Sequence, residues 1–455
     1  MTGWSRRQWL AGTATAGLFA ATRPVSAAST SALPWYNWSG SQSSQPIGRF
    51  APGSTDELVQ FLRATSGAVR PVGAGHSFSP LVPTDGHLVV LDRMAGLLEH
   101  DSETEQATFA AGTRLGSCGA LLDPVGQAMF NLPDIDRQTL AGATSTATHG
   151  TGIGFNTLSG YVTGLTLVTA LGEMLDIDAE NNPQLLDAAR VGLGALGIVT
   201  QIRLQNRTPY RLKEQNWVER TEAVLEHFDE SADAHRHFEM FPLVHSDYAL
   251  VLAIDETTEP INNPRPSPEE AAAFGQAMQS WVALPPGERK PLINGLAEQI
   301  MPSEAVDVSH KILANVRNNR FNEMEYSVPI EAGAECLREI LATIERQAID
   351  VVFPLEFRYI KGDDLWLSMF SGGDRAAISI HRAADFDYRP YFDAIEPIFW
   401  KYDGRPHWGK LHTLGHAELS WLYPRLSDFI DLRAELDPSG RFLNDHLRKI
   451  FGIES

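Results

Sequence analysis

Cysteine is nearly absent: Cys118 and Cys336 are the only two in 455 residues. That count excludes an iron–sulfur cluster or a cysteine-rich zinc site built by this chain alone. The distance between the two in sequence gives no support to a disulfide. Positive charge is in deficit as well, with 37 lysines and arginines against 57 aspartates and glutamates and a formal net charge of −20. A surface of that sign repels nucleic acid and anionic lipid, so the composition fits a neutral small-molecule partner, or simple solubility in a salty environment. Long apolar runs are missing too. The run near the start, Leu10 to Ala21, is too short and too rich in Gly, Ala and Thr to span a bilayer. What remains is a chain of ordinary hydrophobic content, 43%, long enough for two or three domains.

The first residues follow a different logic. Ser5-Arg6-Arg7-Gln8-Trp9-Leu10 precedes that small apolar run, and Val25-Ser26-Ala27 supplies the small side chains a signal peptidase accepts. Residues 1–27 are therefore expected to be a twin-arginine signal, cleaved near Ala28. Such a signal would hand the chain to the twin-arginine export machinery and place it in the periplasm. That route carries proteins that fold, and often load a cofactor, before crossing.

Beyond a polar linker, Ser54-Thr55-Asp56-Glu57 has the Ser-x-x-Glu form of a capping box, and Leu58, Val59, Phe61 and Leu62 follow at helical spacing. Strand signals come next at Ala68 to Val72, Leu88 to Asp92, Ala107 to Ala110 and Ile198 to Leu204. A hairpin from Leu165 to Ile177 turns at Leu171-Gly172-Glu173. Residues 33–205 thus read as one α+β domain with glycine-rich loops. From residue 206 the helical patterns lengthen, a Pro/Glu-rich stretch from Glu259 to Glu270 resembles an insert, and a second set of strands begins. The tail at Asp437-Pro438-Ser439-Gly440-Arg441-Phe442 is a turn leading into a short helical segment.

Three glycine-rich stretches need separate readings. Gly192-Leu193-Gly194-Ala195-Leu196-Gly197 matches G-x-G-x-x-G by letter. The dinucleotide mechanism, however, needs a strand before the glycines and a helix after them. Here the helical pattern Pro183 to Arg190 comes first and the strand follows, so a Rossmann fold is not expected. Gly73-Ala74-Gly75-His76-Ser77 does follow a strand, but Pro80 and Pro83 break any helix behind it. It can hold phosphate as a backbone nest in some other fold. The third stretch, Ala141 to Gly152, is long, uncharged and rich in hydroxyls, which suits close backbone contact with a flat or phosphorylated ligand.

These motifs, with Trp35-Tyr36-Asn37-Trp38-Ser39-Gly40 before them and Pro406-His407-Trp408-Gly409-Lys410 after, occur in the order found in flavin-dependent oxidases of the vanillyl-alcohol-oxidase fold. Within that group the chain resembles the branch of sugar-1,4-lactone oxidases and alditol oxidases, over nearly all of its length after the signal. The resemblance implies an α+β architecture. A PCMH-type FAD-binding domain would span residues 33–205, an α+β substrate or cap domain residues 206–412, and a segment returning to the FAD domain residues 413–455. It implies FAD joined covalently to His76, and a cradle of Gly73, Ala74, Gly75, Ser77, Thr139, Gly142, Thr146, Ala147, Thr148 and His149, with Ile198 at the adenine end. It implies a substrate pocket in which Glu356 and Arg358 bind polyol hydroxyls, with Ser379, His381 and Asp134 lining it and Lys410 beside the flavin. Spacing agrees for one pair, since residues 356 and 358 on a strand point to one face. Either His381 or Glu356 is the expected base. Asp134 stands where the alditol branch has a small hydroxyl residue and so departs from that branch's substrate preference, a sugar lactone or related polyol being expected, and Pro133 occupies the position beside the flavin edge that favours O2 as acceptor. The alternatives are an alditol or polyol oxidase, a dehydrogenase passing electrons to a cytochrome or quinone, and an exported binding protein without activity.

Overall fold

In the computed structural model, residues 33–264, 281–315 and 319–454 are described. The twin-arginine segment lies outside them, as does the 259–270 stretch from residue 265 onward. Three strands, Gly48–Phe50, His87–Val90 and Val69–Val72, form a parallel sheet with the His87 strand in the centre. Beside it lies an antiparallel sheet of five strands, in the order Leu97–Asp101, Gln106–Ala110, Ile198–Gln205, Val162–Val168, Met174–Asp178. The strand Ile198–Gln205 shows why this sheet has two faces. Ile198, Thr200, Ile202 and Leu204 are buried, while the residues between them are half-buried, which is the period of two expected for a sheet packed chiefly on one side.

The second half is built on an eight-stranded antiparallel sheet, ordered Ser303–Val308, Arg211–Arg220, Tyr248–Thr257, His237–Pro242, Glu356–Ile360, Arg375–Ala383, Phe321–Pro329, Arg405–Pro406. One face is covered by amphipathic helices. Gly333–Arg346 turns Cys336, Leu337, Ile340, Thr343 and Ile344 inward at helical spacing and leaves Glu335 and Arg338 outside. The central strands His237–Pro242, Phe321–Pro329 and Glu356–Ile360 are buried on both faces. Their second face nevertheless carries Glu239, Glu323, Glu325, Glu356 and Arg358. Buried charge is costly unless paired, so that face marks where the fold has been shaped for something other than stability.

Several sequence expectations need adjustment. The capping box is half made: Ser54 Oγ accepts the Glu57 N–H, but the Glu57 carboxylate takes the Gly53 N–H instead of that of Ser54. The Ala141–Gly152 stretch is not all loop, because Leu140–Thr144 forms a short helix capped by the Thr139 hydroxyl on the Gly142 N–H. Cys118 and Cys336 are both free and buried, with thiols pushed up to about 12 by burial. The G-x-G-x-x-G stretch does sit between helix Pro183–Ala189 and strand Ile198–Gln205, the reverse of a dinucleotide fold. Among the described residues no helix is long and apolar enough to cross a membrane.

Candidate functional site

One cleft runs between the five-stranded sheet and the charged face of the eight-stranded sheet, enclosing about 1640 Å³ with the open solvent at its mouth included. Three backbone loops line its first half: Gly73–Ser77, the run from Thr139 to His149, and Gly192–Ile198. None carries a lysine or arginine. Gly75 adopts φ 67°, a left-handed conformation that admits glycine freely. Gly73 is needed for another reason, since a Cβ there would stand 2.2 Å from Thr139 Oγ1, the cap of the short helix.

Among the described residues, no protein acceptor takes the amide N–H groups of Ala74, Gly75, His76 and Ser77. Successive unpaired amides in a turn make a nest for anionic oxygens. A glycine-rich wall with free donors and no lysine or arginine within its loops fits the pyrophosphate and flat rings of FAD. His76 stacks on Trp38 with ring centroids 4.9 Å apart. Burial, then Lys410, Arg114 and Arg137, hold its imidazole down to about 4, so the ring is neutral at physiological pH. The loop is tied to the far end of the chain: the Phe78 N–H donates to the Gly409 carbonyl at 2.7 Å and Ser79 Oγ donates to that of Trp408.

Sheet register assembles the other half. Glu356 lies directly across from Ser379, Glu323 from His381, Glu325 from Ser379 and Glu239 from Arg358. Cross-strand partners share a face. Arg358 therefore lies between Glu356 at 2.9 Å and Glu325 at 3.3 Å, and these carboxylates keep its guanidinium charged despite full burial. Burial pushes Glu356 up to about 7 against the pull of Arg358, with Glu239 and Asp134 adding to the rise. For Glu323 burial acts the same way, but Lys410 and His381 outweigh it and hold that carboxyl at about 2. Glu325 also accepts from Ser379 Oγ at 2.8 Å and meets His149 Nε2 at 2.6 Å. His149 Nδ1 faces the Gly150 carbonyl at 2.9 Å and must be its donor there. One proton consequently lies between His149 Nε2 and Glu325. Asp134 is anchored by Asn315, whose Nδ2 donates at 2.9 Å.

Of the residues singled out from sequence, Gly73, Ala74, Gly75, His76, Ser77, Thr139, Gly142, Thr146, Thr148, His149, Ile198, Pro133, Asp134, Glu356, Arg358, His381 and Lys410 all line the cleft. Two do not. Ala147 is fully buried, its methyl in the apolar core, and it turns the chain with φ 55°. Ser379 sits behind the wall, supporting Glu325. Sequence reasoning missed Glu323, Glu325, Phe321 and His407, which line the cleft beside the others. The signal for the two glutamates was present, because Glu323-Met324-Glu325 has the same alternate spacing as Glu356-Phe357-Arg358.

The sequence matches the family described as D-arabinono-1,4-lactone oxidase over residues 202–450 and an FAD-binding domain family over residues 46–178. An L-gulono-1,4-lactone dehydrogenase of Mycobacterium tuberculosis is 35% identical, over 92% of this chain and 99% of its own length. The L-gulonolactone oxidase of Mus musculus is 30% identical, over 91% and 97%. An alditol oxidase of a Streptomyces species is 26% identical, over 91% and 98%. Among solved structures, cholesterol oxidase from Brevibacterium sterolicum superposes with a TM-score of 0.74 over 92% of this chain and 96% of its own, at 14% identity, which is a likeness of fold. With two sheets meeting at a backbone-lined cleft and both halves of the chain matched, this protein belongs to the D-arabinono-1,4-lactone oxidase family of FAD-dependent oxidoreductases.

Proposed function

We propose that the protein oxidises a CH–OH group of a sugar-1,4-lactone, of the D-arabinono- or L-gulono-1,4-lactone kind, with O2 as acceptor and H2O2 as product. The observation that carries this reading is the polar wall of Glu356, Arg358, His381 and Lys410 at the end of the FAD cleft. FAD held in the cleft would supply the acceptor for a hydride, with its electron pair, from the carbinol carbon. Arg358 and Glu356 hold the sugar hydroxyls, one as donor and the other as acceptor. His381 takes the hydroxyl proton. Its Nδ1 lies 3.4 Å from the Pro354 carbonyl and its Nε2 3.5 Å from Glu323. Lys410 supplies a fixed positive charge to the cleft. His76, with its neutral imidazole, is the residue that would carry a covalent link to the flavin.

Two observations bear on the acceptor and point in opposite directions. Pro133 lines the cleft and favours reaction with O2, while the 35% identical mycobacterial relative is named a dehydrogenase. Purified holoenzyme should be given sugar lactones and alditols while O2 uptake and H2O2 are followed beside reduction of a dye or of cytochrome c. Lactone-dependent O2 uptake matching H2O2 formation is the expected result. Fast dye reduction with slow O2 uptake would make it a lactone dehydrogenase, and turnover of alditols alone would move the substrate to open-chain polyols. The Arg6-Arg7 segment adds a cellular expectation, export to the periplasm through the twin-arginine machinery.

A further inference from the structure

One buried carboxylate serves two cationic partners. Glu323, 4% exposed, sets one oxygen against Lys410 Nζ and the other 3.5 Å from His381 Nε2. Backbone pairing fixes it there. Glu323 is the cross-strand neighbour of His381, and its carbonyl accepts the Leu411 N–H at 2.9 Å, one residue from Lys410. The ring nitrogen turned toward Glu323 is Nε2. A carboxylate in that place does little for a neutral imidazole and much for an imidazolium.

We propose that Glu323 is a positioning residue that couples proton uptake at His381 to the positive charge Lys410 presents to the cofactor half of the cleft. The inference rests on the oxidoreductase reading above. In the reaction the substrate O–H bond breaks and its proton bonds to Nε2 through the ring lone pair. The carbinol C–H bond breaks with its electron pair going to FAD as hydride, and a C=O bond forms. Before the proton moves, Glu323 is paired with Lys410, and the pull of His381 on its carboxyl belongs to the protonated ring. Afterwards it is divided between Lys410 and the imidazolium. One unit of positive charge is thereby released toward the cleft as the hydride delivers one unit of negative charge to FAD.

Among the described residues, the other charged groups around Glu323 and His381 are already committed. Glu325 is held by His149 and Arg358, Glu356 by Arg358, and burial keeps His407 neutral, its imidazole held down to about 3. None can substitute for Glu323 between the two cations.

The test compares holoenzyme carrying Glu323→Gln, Lys410→Met, or both, by anaerobic dye-coupled measurement of the bound flavin's midpoint potential and by the pH dependence of kcat/KM on a lactone. Glu323→Gln should raise the potential while Lys410 is present and leave it unmoved in the Lys410→Met background. It should also move the ionisation of the catalytic base to lower pH, because the imidazolium loses its carboxylate. An equal potential shift with and without Lys410, or an unmoved pH profile beneath a general loss of rate, would overturn the proposal. Should the glutamine variant fail to load flavin, Glu323→Asp takes its place. It keeps the charge and must keep the wild-type potential, and a shift as large as that of Lys410→Met would again overturn the coupling. The potential arm needs no substrate, so a protein inactive on every lactone would refute the proposed substrate while leaving Glu323 to be judged separately.

Discussion

His76 illustrates how much of this site is decided by the state of single side chains. A histidine inside a turn of unpaired amides is an odd choice if charge were its purpose, since those amides already supply donors. Its surroundings suppress the charge: burial first, then the cations Lys410, Arg114 and Arg137, hold the imidazole at about 4. What is left at neutral pH is a ring with a lone pair, stacked on Trp38, and a lone pair is what bond formation to an electrophilic ring carbon requires. On that argument, acid precipitation of the wild-type protein leaves yellow, fluorescent flavin in the washed pellet, and the His76→Ala protein leaves it in the supernatant. A colourless wild-type pellet would reduce His76 to a packing contact. Glu356 and Glu323 make the same point with one residue type. Both are buried in the same cleft, yet Glu356 is pushed up to about 7 and Glu323 is held at about 2. Glu356 shares Arg358 with Glu325 and lies near Glu239 and Asp134. Glu323 has Lys410 in contact and His381 beside it, with Glu325 as its carboxylate neighbour.

At the scale of elements, legibility followed periodicity. The strands at 69–72, 106–110 and 198–205 and the hairpin turning at Gly172 announce themselves by alternation or by turn residues, and the reversed helix–glycine–strand order at 183–205 was enough to set aside a dinucleotide fold. The helix Leu140–Thr144 was not legible. Five residues of Leu, Ala, Gly and Thr have no apolar period, and so short a helix cannot sustain itself outside its tertiary contacts. Glu323-x-Glu325 was overlooked because acidic residues at alternate strand positions ordinarily mark a solvent face. Only the helices packed on the far side of the sheet, and a cleft on the near side, turn that pattern into a buried pair. Ser379 shares the strand face of His381, but its hydroxyl is directed to Glu325 and it is not part of the cleft lining. The loops also support one another, and this is testable. Gly73→Ala puts a methyl carbon where Thr139 Oγ1 caps the short helix. Losing a cap of this kind costs about 1 kcal/mol. The variant is therefore expected to melt a few degrees lower and to purify with substoichiometric flavin, read by absorbance against protein concentration. Full flavin content at an unchanged melting temperature would mean the two loops do not constrain each other.

The whole molecule is closed by its own end. Arg70, buried at 2% exposure, donates to the carbonyls of Leu81, Leu193, Gly194 and Phe442, so one guanidinium ties a strand of the parallel sheet to a cleft-lining loop and to the C-terminal segment. Arg441 repeats the clasp from the other side on the carbonyls of Leu62, Thr65, Gly67 and Ala170. Titratable rings are also buried away from the cleft. His412, on the chain beyond Lys410, and His446, on the last helix, are held down to about 3 and about 4, and His237 in the large sheet to about 4, in each case mainly by burial. Between those values and their ordinary 6.5 the unfolded chain binds protons that the folded chain refuses, so stability falls as pH falls through that window. Outside the cleft, Asp363, pushed up to about 6 by burial, works in the opposite direction between about 4 and about 6. Within the cleft, His76 at about 4 and His407 at about 3 add to the loss and Glu356 at about 7 opposes it; five rings against two carboxyls leave a net loss on the acid side, and the low value of Glu323 extends it further down. The melting temperature should therefore hold from about pH 8 to about pH 6.5 and then drop steadily toward pH 4. Replacing His412 and His446 together by asparagine and leucine, neither of which takes up a proton, should flatten that slope whatever the change does to stability at pH 7. A slope unaltered by the double replacement would place the acid sensitivity elsewhere, most directly on the carboxylates of the cleft.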